Sequence, residues 1–248
     1  LAKVIKELKG HSMSKVELMN DNGKTFVRKS GGVYRNLERF DALSKLNLSL
    51  PKILEVYGNA YDMEYIPNQD IKTYLSNHGV NPLIDFLVST IKKLSENTIE
   101  KDYAKVYEQK LSHFPYLQYK LPFTSDELYA KLPKWLPASE YHGDLTLENI
   151  LYRISDDSFV LIDPLTTEYD SYVFDLAKLR QDLVCRWFIR YDKFYFDTKL
   201  QLINEALSQF EYFNNNYLLI LMLMRVLPYT TFHNDKEFIE NEIRKLWK

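Results

Sequence analysis

Asp144, Asn149 and Asp163 place two carboxylates and an amide in one short stretch of the chain, and Lys29 offers a cation far upstream. Carboxylate and amide oxygens are hard donors that suit Mg²⁺, and a carboxylate set beside a hydroxyl can orient or deprotonate it. Phosphoryl transfer from a nucleotide needs this set: a metal between the phosphates, a carboxylate facing the acceptor, and a cation holding the phosphates in line. The groups must converge, so the elements carrying them must bring the chain back to one place.

A hairpin does that. Asn149-Ile150-Leu151-Tyr152 and Phe159-Val160-Leu161-Ile162 read as strands joined through Ser155-Asp156-Asp157-Ser158. Its two ends return together, so Asn149 and Asp163 can share a metal with Asp144 on the preceding loop. Upstream, Val4-Ile5, Lys15 to Met19 and Thr25 to Lys29 read as strands, with Asn20 to Lys24 as a hairpin turn. Alternation puts Phe26 and Arg28 on one face of the third strand and Val27 and Lys29 on the other. One of the two cations can therefore enter a cleft, and Lys29 at the strand end is the favoured one. Leu37, Phe40, Leu43 and Leu46 give Val33 to Leu46 a helical period. Pro51 to Val56 and Tyr61 to Ile66 complete a small sheet.

After the turn cluster Pro67-Asn68-Gln69-Asp70 the pattern becomes helical. Helices are expected over Ile71 to Asn77, Pro82 to Asn97, Glu100 to Tyr119, Tyr172 to Tyr191, Lys199 to Phe213, Tyr217 to Leu227 and Lys236 to Trp247. Pro115, Pro122, Pro133 and Pro137 predict an irregular crossover between Pro115 and Pro137. The expected class is α+β, with residues 1–66 as a strand-rich lobe carrying one helix and residues 67–248 as a larger, mainly helical lobe.

His142-Gly143-Asp144 with Asn149 resembles the His-Gly-Asp-x-x-x-x-Asn signature of aminoglycoside phosphotransferases and choline or ethanolamine kinases, relatives of the protein kinases. The resemblance runs strongly from His142 to Lys178 and more weakly over the rest of the chain. It implies a two-lobed protein-kinase-like fold in which ATP or GTP is the phosphoryl donor. Asp144 would be the catalytic base, and Asn149 and Asp163 the Mg²⁺ ligands. His142 would support its loop by hydrogen bonding. Asp175, in Asp175-Leu176-Ala177, would anchor that loop, or else be an acid favoured at a helix start.

By the same resemblance, Lys29 would hold the α/β-phosphates and Glu38 would pair with it, unless Glu38 is a surface residue. Gly10-His11-Ser12-Met13-Ser14 lies where protein kinases carry a glycine-rich loop; Ser12 and Ser14 are candidate phosphate donors, and an ordinary turn is the alternative. Met63 to Pro67 resembles the interlobe hinge, where backbone groups of Glu64 and Ile66 would meet the purine edge.

The balance of 32 basic and 34 acidic residues, without a long run of either sign, disfavours nucleic acid or an anionic membrane as partner. The apolar run Tyr217 to Met224 is broken by Arg225, well short of the ~20 residues a spanning helix needs. The lone Cys185 rules out an internal disulfide and fits a cytoplasmic setting. The chain starts at Leu1, as a domain cut from a longer polypeptide would. Expected partners are thus a nucleotide and a small hydroxylated acceptor. Trp187, Phe188, Tyr191, Phe194, Tyr195 and Phe196 offer either an aromatic cage for a quaternary amine or a helix core. Glu168, Asp170, Asp182 and Asp192 are the acids available to a polycation. A hydroxyl-bearing sugar-like metabolite is the broad preference. A protein kinase or a nucleotide-binding pseudokinase module is the competing class; Thr146, where protein kinases carry lysine, argues against the first.

Overall fold

The structure is a computed structural model that describes residues 2–8, 14–192 and 196–248. Two compact units divide the chain: Leu1–His78 with Glu148–Thr166, and Gly79–Leu147 with Thr167–Lys248.

In the first unit, β1 (Lys3–Leu8), β2 (Lys15–Asp21), β3 (Lys24–Ser30), β4 (Ile53–Tyr57) and β5 (Ala60–Glu64) form an antiparallel sheet in the order β1-β2-β3-β5-β4. Asn22 (φ 50°) and Gly23 (φ 84°) make the β2–β3 turn, since two successive left-handed residues match the twist of a hairpin. Val27 pairs with Met63 in register, and both join Val33, Phe40 and Tyr61 in the core between the sheet and α1 (Tyr34–Ser44). Lys29 lies on the same strand face as Val27 and is buried with it. Arg28 points the other way, its guanidinium gripping Asp62 at 2.8 and 2.9 Å.

The same unit holds a second antiparallel sheet, in which β6 (Asn68–Asp70) pairs with β9 (Ile150–Arg153), and β9 with β10 (Ser158–Leu161). Asp70 caps α2 (Ile71–Asn77) by accepting the Thr73 N–H at 2.7 Å. Tyr74 of α2 packs on Tyr152 and Phe159, seating the hairpin.

The second unit is mainly helical: α3 (Asn81–Leu94), α4 (Ala104–Ser112), α5 (Ser125–Lys131), α6 (Tyr172–Leu183), α7 (Asp197–Leu207), α8 (Asn216–Val226) and α9 (His233–Leu246). One antiparallel pair, β7 (Ile99–Asp102) with β8 (Trp135–Ala138), lies among them. All 12 residues of α6 are buried, and α3, α7 and α8 pack against it.

Three expectations from the sequence give way here. Residues 99–102 extend as β7 because β8 supplies a distant partner, so the helix expected from Glu100 starts at Ala104 and ends at Ser112. The proline-punctuated crossover contains α5, nucleated by a reciprocal cap in which Thr124 and Glu127 satisfy each other's backbone N–H. The long helix expected from Tyr172 stops at Leu183, and Arg186 (φ 59°) then turns the chain into a short 3₁₀ segment at Trp187–Ile189.

Candidate active site

In the second unit one face of α6 holds the loop that carries Asp144. Asp175, almost fully buried, accepts the His142 N–H at 2.6 Å and the Gly143 N–H at 2.9 Å. Gly143 sits at φ 88°, a conformation that costs a glycine little. Asp182, also buried, accepts the Leu147 N–H at 2.7 Å. Between them Lys178 reaches Asp144, with Nζ 2.9 Å from Oδ1. Positions 175, 178 and 182 follow the spacing of a single helical face, so one rigid element fixes the loop at three points. The loop also braces itself: the Asp144 N–H donates to His142 Nδ1 at 3.4 Å, and the Thr146 N–H donates to the Asp144 carbonyl at 2.9 Å.

The Asp144 side chain keeps 37% of its surface exposed, against 7% for Lys178. A buried ammonium thus holds a reachable carboxylate. Burial is the largest influence on that carboxyl and pushes its pKa up, but Lys178, then Arg225 and His142, outweigh it and leave the group below the usual carboxylate range. Asp144 is therefore ionised at neutral pH, the form in which it can receive a proton.

In the first unit the Asn149 carbonyl accepts the Ile162 N–H at 3.0 Å, extending the hairpin so that Asp163 follows directly on the paired position. Asp163 has φ 55°, in the left-handed region that aspartate and asparagine enter more readily than most residues. Lys29 Nζ lies 2.9 Å from Asp163 Oδ1. Asn36 Nδ2 donates to the Pro164 carbonyl at 2.7 Å, and the Leu161 N–H donates to the Ser49 carbonyl at 2.9 Å, fixing the strand's exit. Asn149 and Asp163 thus present hard oxygen donors from neighbouring positions. Among the described residues no three His, Cys, Asp or Glu side chains cluster as a metal cage. Mg²⁺ does not need one, because it binds through one or two protein oxygens with water and phosphate completing its shell. The donor set fits Mg²⁺.

The remaining sequence candidates are placed as follows. The carboxylate paired with Lys29 is that of Asp163, whereas Glu38 accepts from Thr166 Oγ1 at 2.8 Å. The pairing of Lys29 with Glu38 is not the one formed, because Glu38 lies on the exposed side of α1 while Lys29 faces inward. Ser12 lies outside the described residues. Ser14 Oγ donates to the Gly31 carbonyl at 2.7 Å. The Glu64 N–H donates to the Lys52 carbonyl at 2.8 Å, and the Ile66 carbonyl accepts from Asn68 Nδ2 at 2.6 Å. Lys178 was not singled out by the sequence reading, and Asp182 was read as an acid available to substrate. Their signal was present: Asp175, Lys178 and Asp182 fall on one face of the helix.

No family model and no curated protein matches the sequence. Solved structures do resemble the fold. A candidate fructosamine-3-kinase from Haemophilus somnus 129PT superposes with a TM-score of 0.64 at 14% identity, covering 100% of this chain and 92% of its own. The apo form of a thermostable mutant of aminoglycoside phosphotransferase APH(4)-Ia gives a TM-score of 0.67 at 9% identity, covering 99% and 94%. Plasmodium vivax ethanolamine kinase gives 0.57 at 13%, covering 99% and 81%. APH(4)-Ia has also been solved in ternary complexes with ADP or AMP-PNP and hygromycin B. With its five-stranded antiparallel sheet and helical C-terminal region, this chain has the α+β, protein-kinase-like fold that these small-molecule kinases share.

Proposed function

We propose that the chain transfers the γ-phosphoryl group of ATP or GTP to a hydroxyl of a small molecule. Residues 1–66 bind the nucleotide, and residues 67–248 carry the catalytic loop and the acceptor site. Lys29 draws the phosphates into line, and Asn149 with Asp163 holds Mg²⁺, which when bound offsets phosphate charge. Asp144 accepts the proton of the acceptor hydroxyl; that oxygen bonds to the γ-phosphorus as the bond to the β-phosphate oxygen breaks, and ADP or GDP leaves. Lys178 keeps Asp144 ionised until then.

The observation that carries this reading is the meeting of Lys29 with Asp163, 134 residues apart in sequence, at a left-handed aspartate. Asp144 adds the reachable carboxylate that a module limited to nucleotide binding does not use.

Turnover of Mg²⁺-ATP and Mg²⁺-GTP with a panel of sugars, choline and aminoglycosides tests the proposal. Asp144→Asn is expected to leave nucleotide affinity intact and to lower turnover by about 10²–10⁴, the usual worth of a general base. Absence of Mg²⁺-nucleotide binding, or equal turnover in Asp144→Asn, refutes it.

A further inference from the structure

The residues around Asp144 in the second unit also bear on the charge of the acceptor. A polycation would need free carboxylates. Three of the four acids singled out in the sequence are engaged: Glu168 is ion-paired with Lys110, Asp170 takes Lys101 Nζ at 2.6 Å and Tyr103 Oη at 2.9 Å, and Asp182 is buried on the Leu147 N–H. A quaternary amine would need an open aromatic face. Trp187, Phe188 and Phe196 are buried, and Phe194 and Tyr195 lie outside the described residues. Tyr191 is exposed, but the Arg190 guanidinium, bonded to Asp235 at 2.7 Å, lies 4.9 Å from its ring centroid and 3.6 Å from that of Trp187. That face carries a cation of its own, so a second one is repelled.

Arg225 is placed differently. It projects from the last turn of α8, with its guanidinium carbon 5.0 Å from the Tyr169 ring centroid and Nη1 3.3 Å from Met222 Sδ. A thioether is a weak acceptor, and no carboxylate pairs with Arg225 among the described residues. Its platform is tied to the catalytic loop: the Tyr169 N–H donates to Thr167 Oγ1 at 3.1 Å, and the Thr167 carbonyl accepts from Tyr141 Oη at 3.1 Å, three residues before Asp144. After Lys178, Arg225 is the next positive charge that lowers the Asp144 carboxyl. Lys178 and Arg225 thus bring two positive charges to one negative charge. Lys178 is committed to Asp144, whereas among the described residues Arg225 has only the thioether and the Tyr169 ring.

Resting on the kinase reading, we propose that the acceptor carries an anionic group near its reacting hydroxyl and that Arg225 binds that group. The class is a hydroxylated carboxylate or phosphate ester, such as a sugar acid or a polyol phosphate. A guanidinium presents a planar fork of donors that matches either anion bidentately.

Matched pairs test this: glucuronate against glucose and glycerol 3-phosphate against glycerol, with choline and hygromycin B alongside, each assayed with radiolabelled Mg²⁺-ATP and Mg²⁺-GTP. The expected result is a kcat/KM at least tenfold higher for the anionic member of one pair; which pair responds tells carboxylate from phosphate. In Arg225→Gln the preference collapses, mainly through a raised KM, and Arg225→Lys restores part of it. Equal or better turnover of the neutral or cationic acceptors overturns the anion assignment and leaves the kinase reading standing. An anionic preference that survives in Arg225→Gln overturns it too, reducing Arg225 to a helix C-terminal cation. Nucleotide binding with no anionic compound bound or phosphorylated counts against it equally. Failure to bind nucleotide at all sinks the kinase reading itself.

Discussion

Replacing Asp175 by asparagine separates two roles an acid at this position can have. An acid in the first turn of a helix that acts only on the helix dipole contributes ~0.3–1 kcal/mol. Asp175 does more, because its two carboxylate oxygens accept the His142 and Gly143 N–H groups where 1% of the residue is exposed. Each hydrogen bond to a charged group contributes about 1.5–3 kcal/mol, and a buried donor left without a partner costs about 1–3 kcal/mol. Asparagine keeps one acceptor oxygen and turns an amide N–H toward the other backbone donor. One charged bond is lost, the second becomes neutral, and one buried N–H is orphaned. Some relaxation of the loop recovers part of the cost, leaving an expected loss of about 2–4 kcal/mol. Urea unfolding monitored by circular dichroism reads this as a lower midpoint at unchanged slope. Amide exchange at His142 and Gly143 should rise more than exchange in α8, since the loop is released and not the core. A loss under about 1 kcal/mol, with no added exchange at those two amides, would show that Asp175 serves the helix and not the loop.

Lys178→Met removes the main group opposing burial at Asp144, so the acid limb of the pH-rate profile should move to higher pH. In linkage terms, Asp144 has a lowered pKa in the folded state, so its contribution to stability is present above the unfolded carboxylate range and fades as pH falls through the folded value. The stability gap between wild type and Lys178→Met should accordingly be open at pH 7 and close in acid, where Asp144 is protonated in both; a gap independent of pH argues against the pairing. Cys185 is buried, which pushes its thiol up to about 12. Ellman's reagent should leave it unreacted in the native protein at pH 8 and modify it once urea unfolds the chain; rapid native labelling would contradict its burial.

The parts of this fold that could be read from sequence are those whose cause is local. Asn22-Gly23 sets a hairpin by backbone preference, Phe40 and Leu43 mark a helix face by spacing, and the strands flanking Ser155 to Ser158 need no partner beyond each other. The misread parts depend on distant chain. Residues 99–102 are mostly exposed and have no strand alternation of their own; β8 makes them a strand. Residues 68–70 looked like a turn because three residues carry no period, yet they pair with β9, about 80 positions later. The capping box at Thr124 and Glu127 is a local signal, but the flanking prolines overshadowed it.

The site divides along the same line, and α6 shows where the missing information lay. Asp144, Asn149 and Asp163 were singled out because their spacing follows a known signature, whereas Lys178 and Asp182 belong to no such pattern. Charged residues are buried at a cost of several kcal/mol unless they are paired and hydrogen-bonded. In a helix buried on every side, each charge must therefore have an assigned partner. Asp175, Lys178 and Asp182 are such charges, and their partners are the His142 and Gly143 N–H groups, the Asp144 carboxylate and the Leu147 N–H. Arg180, a fourth buried charge, lies on the opposite side of the helix and donates to Asn216 Oδ1 at 2.9 Å, which leaves these three to one face. Their partners must then lie in a polar backbone segment packed against that face. The loop with Gly143 and Thr146 is such a segment, and it holds the Asp144 carboxylate. Reading buried helices for charges on a common face would have pointed to the support of the Asp144 loop before its geometry was seen.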